Sequence, residues 1–359
     1  MNCCILRRKH ILKGSKRLKM KNYSKLQELV EIDSPSGFTE KASHYIHTLL
    51  EEYDWNPNYT NKGAVRCTMG SQAPTLAIAA HVDTLGAVVS DIAKDGTLRI
   101  SKVGGLSLNG FEGGYCKIYT LEDKTYTGTL LLDNPAAHVN KDLNTAQRSL
   151  YNMHIRLDEE VASKADIENL GINVGDFICF DTNYQELPNG YIKSRFMDNK
   201  AGCFVLFELA RQIKEKAWDV PVQIFFSNYE EVGHGGTCGY AESIQELLVI
   251  DMGVVGDGTS GEETACSICA KDSSGPYDYN MRKELVQLAN KNDIAYRLDV
   301  YPFYGSDGSA ALRAGNDYRV GLIGPGVSAS HGVERTHHKG IQATIDLCMA
   351  YIEAQFVNP

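Results

Sequence analysis

His81-Val-Asp83, Asp198-Asn-Lys-Ala-Gly202, Glu230-Glu231-Val-Gly233, Asp251 and His331 are the residues of this chain best suited to chemistry. Together they supply two histidines and three carboxylates, with two further carboxylates beside them. That is the ligand count for two metal ions sharing one bridging carboxylate, and it leaves one acid to orient a histidine and another to act as a base. The run Val222-Gln-Ile-Phe-Phe-Ser leads through Asn228-Tyr229 into the adjacent Glu230 and Glu231. If both stand at an extended strand end, their side chains point to different sides, so one can ligate a metal while the other faces the attacking water. His81 and Asp83 are two residues apart at the end of an apolar run; alternation puts them on one side, where the carboxylate can orient the imidazole. Taken singly, each feature has a plainer reading: a solvated acidic turn for Glu230-Glu231, a helix N-cap for Asp198, a turn carboxylate for Asp251. Their joint placement after apolar runs favours convergence on one crevice, where an open α/β sheet gathers its chemistry.

The last ligand is open on chemistry alone. Residues 331–338 read His-Gly-Val-Glu-Arg-Thr-His-His and offer His331, His337 and His338, while His234 in the following Gly235-Gly236 turn could contact substrate or metal. His44, His47, His138 and His154 fall in ordinary helical or loop contexts and read as surface or structural residues.

The elements that must position these groups follow from periodicity. Residues 22–53 predict two helices around Ser34-Pro35-Ser36-Gly37, and Thr75–Ala80 is a continuous apolar run, as a strand buried on both faces requires. From 87 to 190 the texture becomes β-rich, with segments at 96–103, 115–120, 125–132 and 177–181 and a helix over 158–169. After 190 the pattern predicts a helix at 200–215, strands at 222–228 and 247–250, a helix at 281–293, a strand at 318–323 and a closing helix at 341–355. Strand alternating with helix makes this an α/β protein with a doubly wound, mostly parallel sheet covered by helices on both faces. Residues 20–86 and 191–359 then form the catalytic domain, interrupted by a small β-rich domain over 87–190.

The chain has 359 residues, 43% of them hydrophobic, enough for a large core. Its net charge of −9 argues against a nucleic-acid or anionic-membrane surface. Residues 1–19 hold seven basic side chains and no acidic one. They lack the apolar stretch of a signal peptide and read as a disordered tail, or as an extension upstream of a start at Met20. No run approaches the roughly 18 apolar residues of a membrane span. Ten scattered cysteines without a secretion signal read as reduced thiols of a cytoplasmic protein. Cys266-Ser-Ile-Cys269, a CxxC without a second pair, reads as core rather than as a zinc or redox site.

The ordered set His81-Val-Asp83, Asp198-Asn-Lys-Ala-Gly202, Glu230-Glu231-Val-Gly233, Asp251 and His331-Gly-Val-Glu334 resembles the tetrahedral or glutamyl-type metallo-aminopeptidases, metallopeptidase family forty-two, some members of which have been labelled endoglucanases. Gly305-Ser-Asp-Gly-Ser-Ala310 is similar to the family's glycine-rich segment, whose acid, here Asp307, lies near the substrate. The resemblance runs from Met20 to Pro359. It implies that His81 and Asp251 hold one metal, Glu231 and His331 the other, and that Asp198 bridges them. Asp83 would orient His81, and Glu230 would be the general base. It implies two divalent ions, zinc first, with cobalt or manganese able to replace it, and short peptides with a free N-terminus as substrates. The insertion would be a PDZ-like dimerisation domain and the assembly a homodimer or larger, up to a tetrahedral dodecamer. Two positions depart from the family pattern: His234-Gly235-Gly236 after the Glu-Glu-Val-Gly motif, and Gly332 where Ser-Pro is common. A deacylase acting on another amide is the main alternative, because a metal site does not define the acyl group. A glycosidase would leave the histidines unexplained. A non-enzymatic scaffold would not need every site position filled by a competent residue.

Overall fold

The computed structural model describes residues 23–358; the basic segment 1–19 and the start at Met20 lie outside the described residues. Four parallel strands form the centre of a 12-stranded sheet, in the order Val222–Ser227, Leu76–His81, Glu246–Ile250 and Arg319–Ser328. Every residue of the first three is buried, which is why they read as unbroken apolar runs rather than as alternating ones. Alternation still decides which face each side chain serves. Leu76, Ile78 and Ala80 pack with Leu26, Ile46, Leu206, Leu285 and Ile345, which come from five different helices. Ala77, Ala79, Phe225 and Val249 face the other way, onto Tyr240, Tyr301 and Ala311 of the short helix Asp307–Arg313. The sheet is therefore mixed α/β and mainly parallel at its centre, with five helices on one face and, on the other, the short helix Asp307–Arg313. Antiparallel strands flank it: Val65–Thr68 on one side, Glu334–His337, Tyr191–Ser194 and Gln185–Glu186 on the other.

Between Leu76–His81 and Tyr191–Ser194 the chain leaves the sheet and closes a six-stranded barrel from Gly86–Ile92, Leu98–Val103, Met153–Leu157, Thr125–Leu132, Tyr115–Tyr119 and Phe177–Phe180. Its inward residues, among them Val89, Ile100, Ile118, Leu130, Ile155 and Phe180, make a hydrophobic core separate from that of the sheet.

Several elements differ from the sequence expectation. The helix expected over 158–169 forms only over Lys164–Leu170, because the Ser163 side chain accepts the Asp166 N–H and so starts it. The strand expected to stop at 323 continues to Ser328, its second half gaining Gly253–Val255 as a parallel neighbour. Cys266 and Cys269 lie buried on the strand Cys266–Lys271, which periodicity did not reveal. Among the described residues no helix is long and apolar enough to cross a membrane.

Candidate active site

The parallel strands end at one edge of the sheet, and the chemistry-bearing residues are gathered there. His81 is the last residue of its strand, and Asp251 directly follows Glu246–Ile250. Asp198 stands at the start of Met197–Glu215 with non-helical backbone angles. Asn199 beside it donates to the Ile250 carbonyl at 2.7 Å and accepts the Gly202 N–H at 3.1 Å, which ties this helix start to the strand end preceding Asp251. Lys200, fully buried, donates to Ser34 Oγ at 2.6 Å.

Glu230 and Glu231 do not extend a strand. The strand stops at Ser227, and Glu230–Val232 is a 3-10 turn closed by Gly233 at φ +87°. The physical reason is Asp83, whose carboxylate accepts the N–H groups of both Glu230 (3.1 Å) and Glu231 (3.2 Å) as well as the Ser36 hydroxyl. Those amides are thereby removed from any sheet ladder. Asp83 also approaches His81, through its carbonyl (2.9 Å from Nδ1) more closely than through its carboxylate (3.6 Å).

Two groups of potential ligands result, His81 with Asp198 and Asp251, and Asp198 with Glu231 and His331; within each, one ligand atom per residue lies within 4.8 Å of the others. Asp198 belongs to both. Its Oδ1 is 3.2 Å from His81 Nε2 and its Oδ2 3.6 Å from His331 Nε2. His331 Nε2 is 3.8 Å from Glu231 Oε2, and His81 Nε2 is 3.9 Å from Asp251 Oδ1. Glu230 joins neither group, yet its Oε2 comes within 3.7 Å of His81 Nε2. The first group is buried, whereas the His331 side chain is 37% exposed.

Burial, and then crowding by neighbouring carboxylates, pushes Glu230, Glu231 and Asp251 well above the usual carboxylate range. Burial opposes the protonated form of His81, but the hydrogen bond to Asp198 and the charges of Glu230, Asp251 and Asp83 outweigh it and hold the imidazole well above its ordinary value. Burial likewise opposes the charge on Asp198, and His81 overrides it to hold this carboxyl low. Glu231 Oε1 is buried with no hydrogen-bond partner among the described residues. Each group thus offers one imidazole and two carboxylates, a donor set suited to a divalent cation.

The other predicted residues are placed differently. His337 directs Nε2 to the Asn189 carbonyl at 3.1 Å, and His338 stacks on Tyr23 at 3.9 Å, so of the three histidines in 331–338 only His331 reaches the cluster. His234 is exposed and stacks on Tyr229 at 5.0 Å, outside both ligand groups. Asp307 is buried beneath the turn, accepts the Ser227 hydroxyl, and is pushed up to about 6 chiefly by burial.

That burial accounts for Gly235-Gly236. A Cβ on Gly236 would stand 2.4 Å from the Asp307 carbonyl oxygen. Gly236→Ala is accordingly expected to destabilise the fold by about 1–3 kcal/mol through overpacking, read as a lowered melting midpoint. An unchanged midpoint would show that the turn can move away from Asp307. Sequence reasoning gave Glu334 no role of its own, although it is buried and accepts the N–H groups of Asp198 and His331, both at 3.0 Å. Only its place three residues after His331 hinted at it.

With the fold and cluster defined, comparison with known proteins places the molecule. A model of the M42 glutamyl aminopeptidase family matches residues 63–347. The chain is 44% identical over 336 residues to YhfE of Bacillus subtilis (strain 168), covering 92% of this chain and 97% of that one. It is 29% identical over 224 residues to the glutamyl aminopeptidase of Lactococcus lactis subsp. cremoris (strain MG1363), covering 60% of this chain and 62% of that one. In fold it is similar to the Pyrococcus horikoshii TET1 peptidase, with a TM-score of 0.81 at 22% identity, covering 92% of this chain and 98% of the other. A mixed α/β hydrolase with a carboxylate- and imidazole-lined crevice at its strand ends is the class so defined. The chain belongs to the M42 glutamyl aminopeptidase family. It is an aminopeptidase, a hydrolase of peptide bonds that uses divalent metal ions.

Proposed function

We propose that the chain removes N-terminal residues from short peptides by a two-metal mechanism. The observation that carries this reading is Asp198, whose two carboxylate oxygens each face a different histidine, as a bridging ligand requires. His81 and Asp251 would hold one ion, Glu231 and His331 the other. Zinc is the expected metal, and cobalt or manganese suits the same donors. When bound, such a pair polarises the scissile carbonyl and acidifies the attacking water. Glu230 takes the proton of that water and delivers it to the leaving amine. Asp83, by holding the Glu230 and Glu231 amides, fixes both the base and a ligand relative to His81. His234, exposed on the turn beyond Glu231, would contact the substrate, while Asp307 seats that turn from below.

The same proposal takes residues 20–86 and 191–359 as the catalytic domain and 87–190 as a PDZ-like dimerisation domain. The assembly is a homodimer or larger, up to a tetrahedral dodecamer, and acts in the cytoplasm. The Pyrococcus horikoshii TET1 peptidase, which can assemble into a tetrahedron or a large octahedral shell, supports the assembly.

The test is release of amino acids from short peptides, free and N-acetylated, by protein reloaded with zinc, cobalt or manganese. Sequential release from free N-termini and none from acetylated ones is expected. Silence on every peptide by protein carrying two ions would move the activity to another amide.

A further inference from the structure

The two ligand groups differ in what holds them. The His81 imidazole is oriented from within the catalytic sheet: its Nδ1 lies 2.9 Å from the carbonyl of Asp83, two residues on. His331 is held from outside. Its Nδ1 lies 3.1 Å from the carbonyl of Gly105, in the segment that follows the barrel strand Leu98–Val103. The contact is tight, since a Cβ on Gly105 would stand 2.8 Å from both Nδ1 and Cε1 of the ring. The preceding residue packs on the partner ligand, with the Cβ position of Gly104 3.2 Å from the Glu231 carbonyl oxygen and 3.3 Å from Glu231 Cβ.

Arg195 fastens this segment. Its guanidinium sits 4.7 Å from the centre of the Phe111 ring and donates to the carbonyls of Gly110 (3.1 Å) and Asp181 (2.9 Å). From the sheet side, Glu334 is the counterpart. One carboxylate oxygen accepts the N–H of His331, whose backbone has φ +60°, and the other accepts the N–H of Asp198. Without such a clasp a histidine in the left-handed region has a more extended alternative that carries its ring elsewhere.

We propose that the Gly105 carbonyl and the Glu334 carboxylate are positioning groups for the Asp198–Glu231–His331 site, so that affinity for the second ion depends on how the barrel sits against the sheet. The inference rests on the two-metal reading above and adds an asymmetry to it. The His81 site is complete within the sheet, while the His331 site is completed across the seam. Groups that orient metal-binding imidazoles contribute about 10–100-fold in metal affinity.

The experiment is stepwise titration of metal-free full-length protein with cobalt(II), followed by calorimetry and by visible absorption of the ion. The proteins compared are the unaltered chain, Gly105→Ala, Glu334→Gln and, as a reference lacking the second imidazole, His331→Ala. For Gly105→Ala the first dissociation constant should stay within about twofold, and the second should weaken by about 10–100-fold toward that of His331→Ala. Its metal-free melting midpoint should match that of the unaltered chain, which a merely structural role for Gly105 would not allow. Glu334→Gln, which presents an amide to one of the two N–H groups, should weaken the second step similarly. It carries the test if Gly105→Ala does not fold. A second constant unchanged in folded Gly105→Ala or, where that variant does not fold, in Glu334→Gln overturns the proposal. An unaltered chain that takes up a single cobalt ion overturns the two-metal reading itself, and this inference with it.

Discussion

Replacing Glu230 by glutamine is expected to lower kcat by about 10²–10⁴-fold, the usual contribution of a positioned acid–base group, while leaving metal content unchanged. Glutamine keeps the shape of the side chain and removes only its ability to take a proton. Glu230 belongs to neither ligand group, so the substitution withdraws no donor from an ion, and its backbone N–H remains held by Asp83. KM should move little, because the interaction lost is one made in the transition state. Glu231, the next residue along the turn, provides the contrast: it is one of the three members of the second group, and Glu231→Gln should lose metal together with activity. Steady-state kinetics and elemental analysis of both variants distinguish base from ligand. Full activity in Glu230→Gln would remove Glu230 from the mechanism.

Much of this was legible in the sequence because the central strands are buried on both faces. Burial of that kind leaves unbroken apolar runs such as Leu76–Ala80, and a polar residue directly after one stands out, as His81 and Asp251 do. Positions fixed by tertiary hydrogen bonds were less readable. Nothing in the order of residues says that Asp83 will accept two amides 147 and 148 residues away and fold Glu230-Glu231 into a 3-10 turn. Likewise His331, His337 and His338 are chemically equivalent as letters. They separate only because Glu334 and Gly105 hold the first while Asn189 and Tyr23 engage the others. Flanking strands such as Cys266–Lys271 and Tyr296–Val300 escaped for a different reason. Tyr296–Val300 pairs on one side only, with Cys266–Lys271, and exposes Leu298 and Val300, so it never develops the apolar run that marks a central strand.

On the proposed two-metal reading, Asp198→Asn should be more damaging than the loss of the base, because Asp198 would serve both ions at once. The carboxamide keeps one oxygen and turns an N–H₂ toward the other ligand group, so one of the two contacts, to the His81 side or to the His331 side, becomes repulsive to a cation. The backbone has little reason to move, since Glu334 still accepts the Asp198 N–H and Asn199 still bonds the Ile250 carbonyl. Losing several kcal/mol of charge stabilisation in the transition state corresponds to a fall in kcat/KM of at least about 10³-fold. Stability should fall as well, modestly when metal is absent and further when it is bound. Without metal the variant loses the charge pairing with His81 that holds the Asp198 carboxyl low, and relief of the repulsion on Glu230, Glu231 and Asp251 offsets only part of it, so it should melt somewhat below the unaltered chain. With an ion at about 100 times its dissociation constant, the unaltered chain gains about 2.7 kcal/mol per site that the variant cannot fully recover. Zinc should therefore widen the gap in melting midpoint between the two proteins, and a variant that keeps two ions and near-normal kcat/KM would show that Asp198 does not bridge them.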